Sequence, residues 1–271
     1  MKPFSELKIT FIGSGNMAEA LVSGLVHAGH DAASLITTDV DAARLTMMHE
    51  MYGVHTLQEN AKAVESADVV LLAVKPQKMA EVVPLLAHRI QSGATVISIA
   101  AGTSVKSLRG WLSTAGDALV RVMPNTPALV GEGMSVMYSD VQDAIHRERA
   151  EYVLSASGKT AWVESESHLH TVTALSGSGP AYIFLIAEIM ETTAISAGLP
   201  AELARTLTAQ TIVGSGKMLV ESGRSPTDLK KQVTSPGGTT MAALDTMYEQ
   251  GLPAAIRKGM AAAMKRSHEL A

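Results

Sequence analysis

Between Lys231 and Thr240 the chain reads Lys-Gln-Val-Thr-Ser-Pro-Gly-Gly-Thr-Thr and runs directly into the apolar-periodic stretch Met241, Leu244, Met247 and Tyr248. Ser235, Thr239 and Thr240 bring hydroxyls, and Gly237 and Gly238 leave the backbone bare, where the spacing predicts that a helix begins. Free peptide N–H groups and the positive end of the helix dipole then converge on one spot. That is a cradle for a small anion, a carboxylate or a phosphate. From these residues alone, a glycine-rich helix start without a ligand fits equally well.

A second glycine turn lies far away in sequence. Phe11-Ile-Gly-Ser-Gly-Asn-Met-Ala18 fits G-x-G-x-x-A, after a run of β-formers and before a helical pattern. In that context Gly13 allows a tight turn, Gly15 lets a pyrophosphate approach the backbone, and Ala18 lets helix pack on strand, so the turn reads as a dinucleotide site. The acidic residue of this fingerprint is Asp39, placed to accept from the ribose 2′-hydroxyl of NAD, whereas Thr37, Thr38 and Arg44 would accommodate a 2′-phosphate. These residues leave both cofactors open. Ala73-Val-Lys75-Pro76 and Met123-Pro-Asn125-Thr-Pro127 close two further strands at the end where open α/β sheets bind ligands. No acid pairs with Lys75 nearby, so it reads as a cation beside cofactor phosphates or a solvated loop residue. A third glycine loop, Leu175-Ser-Gly-Ser-Gly-Pro-Ala-Tyr182, leads into a long helix with Pro180 in its first turn.

These loops need a scaffold, and the apolar pattern supplies one. Strands are expected at Lys8–Ile12, Leu35–Thr38, Val69–Val74, Val96–Ala100 and Leu119–Met123, with helices near 41–52, 77–90 and 104–114 between them. Met134–Tyr138 and Thr160–Val163 would add edge strands, with a helix across 140–156. The alternation implies a Rossmann-type, doubly wound, mostly parallel sheet over residues 1–164. From 165 to 271 the strand signal is gone. Helices are expected at Ala181–Ala197, Ala201–Glu221, 239–250 and 253–269, separated by Gly198-Leu-Pro200 and Gly251-Leu-Pro253. The first of these is apolar around much of its circumference, which reads as a core helix or a subunit interface.

Composition narrows the function classes. Hydrophobic residues at 46% against 18% charged support a sizeable core and argue against disorder. A net charge of -4 without a basic stripe argues against a nucleic-acid partner. The absence of cysteine removes disulfides, thiolate catalysis and Cys-ligated zinc, and fits a reducing cytoplasm. No apolar run looks long enough to cross a bilayer, so a cytoplasmic protein is expected. None of the nine histidines falls in a motif, and His168 and His170 read as surface residues rather than metal ligands. No metal is expected.

Taken in order, Gly13-Ser-Gly-Asn-Met17, Ala73–Pro76, Met123–Pro127, Leu175–Tyr182 and Leu229–Thr240 resemble the successive signatures of the pyrroline-5-carboxylate reductases over nearly the whole chain. The resemblance implies NAD(P)H-dependent reduction of 1-pyrroline-5-carboxylate to proline, with NADPH the expected cofactor and NADH the alternative. It places the pyrophosphate on Gly13, Ser14, Gly15, Asn16 and Met17. Thr38, Asn60, Ala73, Val74, Lys75, Pro76 and Ala100 complete the cofactor site. It places the substrate carboxylate on Ser235, Gly237, Gly238, Thr239 and Thr240, with Val233 alongside and Glu166 near substrate or product. Thr240 would carry the catalytic role, its hydroxyl reaching the ring nitrogen. The helical part would be a dimerisation domain, giving a homodimer or a larger ring of dimers. The related β-hydroxyacid dehydrogenases need a lysine near the start of a long helix, and Tyr182–Ala197 has none.

Overall fold

The computed structural model describes residues 3–113 and 118–271. Packing divides the chain into two compact units, one of residues 1–178 together with 263–271 and the other of residues 179–262.

The first unit is built on β1 (Ile9–Ile12), β2 (Leu35–Thr38), β3 (His55–Leu57), β4 (Val69–Leu72), β5 (Thr95–Ser98), β6 (Leu119–Met123), β7 (Gly133–Tyr138) and β8 (Gly158–Trp162). They form one sheet in the order β3-β2-β1-β4-β5-β6-β7-β8. All neighbours run parallel except β6 and β7, which pair antiparallel. The chain steps outward one way from β1 to β3 and the other way from β4 to β6. The switch of direction falls between β1 and β4 and opens a crevice at their carboxyl ends.

Burial on both faces explains the continuous apolar runs. In β1, Ile9 and Phe11 join the core under α1 (Asn16–His27), α2 (Ala42–Tyr52) and α6 (Ala144–Ser155), while Ile12 joins the core under α4 (Pro76–Leu86) and α5 (Val105–Leu112). Val69 and Leu71 in β4 take the first side, Val70 and Leu72 the second. Each such side chain stabilises the fold by about 1.5–3 kcal/mol. Local chemistry sets the helix starts. Asp41 accepts from Ala43 and Arg44 N–H to cap α2, Ser104 from Ser107 N–H to cap α5, and Asp143 from Ile145 N–H to cap α6.

Several expectations shift. β7 lies inside the sheet, bonded to β6 and β8, so of the two expected edge strands only β8 is one. The expected end of α5 at Thr114 lies outside the described residues. β3 and the short α3 (Asn60–Ala63) had no usable period because they are three and four residues long. After β8 the chain forms α7 (His168–Val172), then a π-helical turn, Thr173–Gly177, and continues into α8 (Gly179–Ser196). The continuous helical stretch His168–Ser196 has a mean hydropathy of 1.3 and is long and apolar enough to cross a membrane. The sequence reading missed this length because Ser176-Gly-Ser-Gly-Pro180 looked like a break.

The second unit holds α8, α9 (Ala201–Glu221), α10 (Pro226–Gln232), α11 (Thr239–Glu249) and the first turns of α12 (Leu252–Glu269). Pro200 sits at the N-cap of α9, and Gly198 and Gly251, at φ 99 and 78, turn the chain after α8 and α11. Neither α8 nor α11 buries any residue within the chain. Phe184, Leu185 and Ile189 remain 65%, 56% and 56% exposed.

Candidate active site

The glycine turn after β1 sits over the switch point. Gly13 has φ 101, and a Cβ there would lie 2.9 Å from the Ala73 carbonyl oxygen, so only glycine fits between the β1 and β4 loops. Gly15 is the N-cap of α1, without a side-chain cap bond and with open space where a Cβ would point. The N-terminus of a twelve-residue helix is thereby left bare beside a cleft of about 480 Å³. Gly13, Gly15, Thr38, Asn60, Ala73, Val74 and Lys75 line that cleft. Among the other expected cofactor residues, Asn16 and Met17 open α1, Pro76 opens α4, and Ala100 follows β5. Ser14 is fully buried, its Oγ 2.9 Å from Thr37 Oγ1 and 3.1 Å from the Thr38 carbonyl.

The rim at the end of β2 is more tied up than its residue types suggest. The Asp39 carboxylate accepts from Ser14 N–H at 2.9 Å and from Asp41 N–H at 3.1 Å, and it lines the cleft. Arg44 donates to the Ser14 carbonyl and pairs with Glu19, whose other oxygen accepts from Tyr52 Oη at 2.9 Å. Thr37 and Thr38 are fully buried, and the Thr38 hydroxyl donates to the Phe11 carbonyl. Besides Lys75, the cleft is lined by Lys78, which pairs with Glu81 at 2.7 Å. Lys78, Glu81 and Val82 line the cleft and were missed by sequence reasoning. The available signal was helical spacing: Pro76 starts α4 at the cleft, so Lys78 and Val82, three and seven residues beyond Lys75, share its face, and Glu81 lies three residues beyond Lys78.

The second glycine loop lies in the helical unit. Ser225 accepts from Asp228 N–H at 3.1 Å and starts α10, which Leu229 anchors at 9% exposure. α10 ends at Val233, 58% exposed, and the loop Thr234–Gly238 follows. Gly237 at φ 68 turns the backbone. Gly238 is the N-cap of α11, with no side-chain cap bond. Ser235 folds over this point, since a Cβ on Gly238 would lie 2.4 Å from Ser235 Oγ. The Ser235 hydroxyl therefore lies beside the N-cap of α11, whose first amides have no side-chain cap. Ser235, Gly237 and Gly238 form the loop into α11, Thr239 and Thr240 are its first residues, and Val233 is the C-cap of α10.

Glu166 is committed elsewhere. Its Oε1 accepts from Val105 N–H at 2.7 Å, at the start of α5, and from Arg121 Nη1 at 2.5 Å, on β6. His170 is not a surface residue: it is 8% exposed, its Nδ1 is 2.9 Å from Ser267 Oγ, and its ring stacks on His268 at 3.7 Å between centroids. Burial, His268 and Arg121 hold its pKa below 6.5 against the opposing pull of Glu166. His168 is exposed. Among the described residues, no cluster of three or more His, Asp or Glu could hold a metal.

Comparison with known proteins extends these observations. Residues 166–270 match a family model described as pyrroline-5-carboxylate reductase dimerisation, and residues 8–102 match one described as NADP oxidoreductase coenzyme F420-dependent. A pyrroline-5-carboxylate reductase of Pseudomonas aeruginosa is 41% identical over 265 residues, 97% of each chain. The solved pyrroline-5-carboxylate reductase of Coxiella burnetii is 38% identical with a TM-score of 0.91, covering 98% of this chain and 99% of its own. That of Plasmodium falciparum, solved with NADP bound, is 26% identical with a TM-score of 0.88, covering 98% of each. Matched from end to end in sequence and fold, this chain belongs to the pyrroline-5-carboxylate reductase family.

Proposed function

We propose that this chain reduces 1-pyrroline-5-carboxylate to L-proline, the last step of proline synthesis, using NADPH, with NADH as a slower alternative. The observation that carries the reading is the presence, in one member of this family, of two helix N-termini left bare by glycine N-caps. Gly15 opens α1 beside the cleft, and Gly238 opens α11 beneath Ser235. The cleft residues fit a dinucleotide: Gly15 leaves open space where a Cβ would point, and the α1 N-terminus offers amides to a pyrophosphate. Gly13 to Met17, Asn60, Ala73 to Pro76, Thr38 and Ala100 hold it, and Lys75 and Lys78 add positive charge beside the phosphates.

A bound dihydronicotinamide supplies the hydride. Ser235 and the amides of Thr239 and Thr240 bind the substrate carboxylate, with Gly238, whose N–H donates to the Ser235 carbonyl, shaping the turn and Val233 packing alongside. As the hydride adds to the imine carbon, C2 of the pyrroline, the electron pair of the C=N bond passes to nitrogen, which carries the proton. The imine enters protonated as the electrophilic iminium, so the site needs no strong acid, and the Thr240 Oγ1 holds the ring nitrogen by accepting from its N–H. Catalysis is mostly alignment. Glu166 Oε1 is tied to Arg121 and Val105.

The functional division follows the matched dimerisation region, with 1–164 for cofactor and 165–271 for substrate and assembly. The apolar faces of α8 and α9 meet a second copy of the chain, in a cytoplasmic homodimer or ring of dimers, rather than lipid or nucleic acid. Oxidation of NADPH on adding 1-pyrroline-5-carboxylate, with proline as product, tests the reading; no turnover with either cofactor refutes it.

A further inference from the structure

Asn125 joins the end of β6 to the π turn at Thr173–Gly177 and uses both ends of its amide to do so. Its Oδ1 accepts from Met134 N–H at 2.8 Å, and its Nδ2 donates to the Ser176 carbonyl at 3.1 Å. The Met134 amide can only donate, which fixes the oxygen end of the side chain and leaves the NH₂ group toward Ser176. The Ser176 carbonyl needs that donor. In a continuous α-helix its partner would be the N–H four residues on, and that residue is Pro180, which has none. The chain winds there as a π turn, with Ser178 N–H donating to the Thr173 carbonyl at 2.7 Å. Such turns collect at functional sites. Contact with β6 is close: a Cβ on Gly177 would lie 2.3 Å from Met123 Cε, and Met123 ends β6.

The location gives the device a purpose. A dinucleotide lies across the switch point with one half on each side. β2 and Asp39 take the adenosine half, so the carboxyl ends of β5 and β6 border the nicotinamide half. We infer that Asn125 is a positioning residue for hydride transfer. By supplying the hydrogen bond that Pro180 withholds, it holds the Ser176–Gly177 backbone against the end of β6 and fixes the wall of the nicotinamide half of the crevice. Proline at 180 makes the helix unable to satisfy its own carbonyl, and Asn125 turns that vacancy into an anchor between sheet and helix. This rests on the reductase reading above.

The test uses the full-length enzyme. Asn125→Asp keeps the acceptor for Met134 and loses the donor to Ser176. It should lower kcat about five- to tenfold, the span one such hydrogen bond supports. KM for both substrates should stay within about twofold, because binding contacts are untouched. The primary isotope effect with NADPH deuterated at the transferred position should rise. Adding Pro180→Ala to Asn125→Asp should restore most of the activity by returning an N–H to the Ser176 carbonyl while the Met134 bond is kept. Wild-type kcat and isotope effect in Asn125→Asp, or an Asn125→Asp loss that Pro180→Ala leaves unchanged, would overturn the inference while wild-type turnover upholds the reductase reading. No turnover by the wild type would overturn both.

Discussion

At the scale of single residues, the chemistry assigns sharply different consequences to neighbouring side chains. Thr240→Ala removes the hydroxyl that holds the ring nitrogen and leaves the α11 amides in place. It should cut kcat by about a hundredfold, as loss of one aligned polar contact does, with the Kd for NADPH unchanged. Equal loss of cofactor affinity would show that Thr240 belongs to the other half of the reaction. Asp39 offers a second test, because its carboxylate lines the cleft where a 2′-phosphate would lie. Asp39→Asn should raise kcat/KM for NADPH relative to NADH by about tenfold, equivalent to about 1.4 kcal/mol of repulsion removed. An unchanged ratio would place the 2′-phosphate elsewhere. The glycines of both loops were legible in the sequence because local geometry demands them, as φ 101 at Gly13 and 68 at Gly237 show. Glu166 and His170 were not legible. Their partners lie 45 and 97 residues away, at Arg121 and Ser267, and nothing local predicts such pairs.

At the scale of elements, long periodic segments were readable and short or interrupted ones were not. α9 spans Ala201–Glu221 as its spacing predicts, and β2 and β6 likewise. α10 was hidden inside a motif read as loop, and the π turn looked like punctuation because glycine and proline flank it. The docking of the last turns of α12 carries a pH dependence. His170 on α7 faces Ser267 and His268 on α12, Arg121 on β6, and Glu166. Burial likewise lowers the pKa of His146, which is bonded to Thr95 at 2.8 Å, with Arg149 adding to the effect and Asp143 opposing it. Both imidazoles have folded pKa values below the ordinary 6.5, so their neutral forms favour the fold. Their contribution is complete above that value and is lost as pH falls through the folded pKa, because the unfolded chain binds protons first. The melting temperature should therefore drop between about pH 7.5 and about pH 5, and His170→Gln, which keeps a bond to Ser267, should show a smaller drop. An equal drop in the variant would remove His170 from the explanation. Gly13→Ala should both destabilise the protein by about 1–3 kcal/mol and abolish tight cofactor binding, since strain at φ 101 and the Ala73 carbonyl act together.

At the scale of the whole molecule, the helical unit is the part a single chain leaves unfinished. α8 and α11 bury no residue of their own, while matched relatives cover this chain almost end to end and their family model names the region for dimerisation. Light scattering should give at least twice the 28.4 kDa chain mass, and Phe184→Lys, at a position 65% exposed in one chain, should reduce it. A monomeric wild type would leave those apolar faces without an explanation. Fold class and domain order could be read from periodicity, since alternating strands and helices gave way to helices alone near residue 165. What closes over the apolar faces could not, because a second copy writes no separate pattern into the sequence. Imine reduction is measured directly by proline formation. Purified protein given NADPH and 1-pyrroline-5-carboxylate should yield one L-proline for each NADPH oxidised, at a rate that Thr240→Ala reduces about a hundredfold. NADPH bound without any proline formed, in the wild type at saturating substrate, would contradict the account.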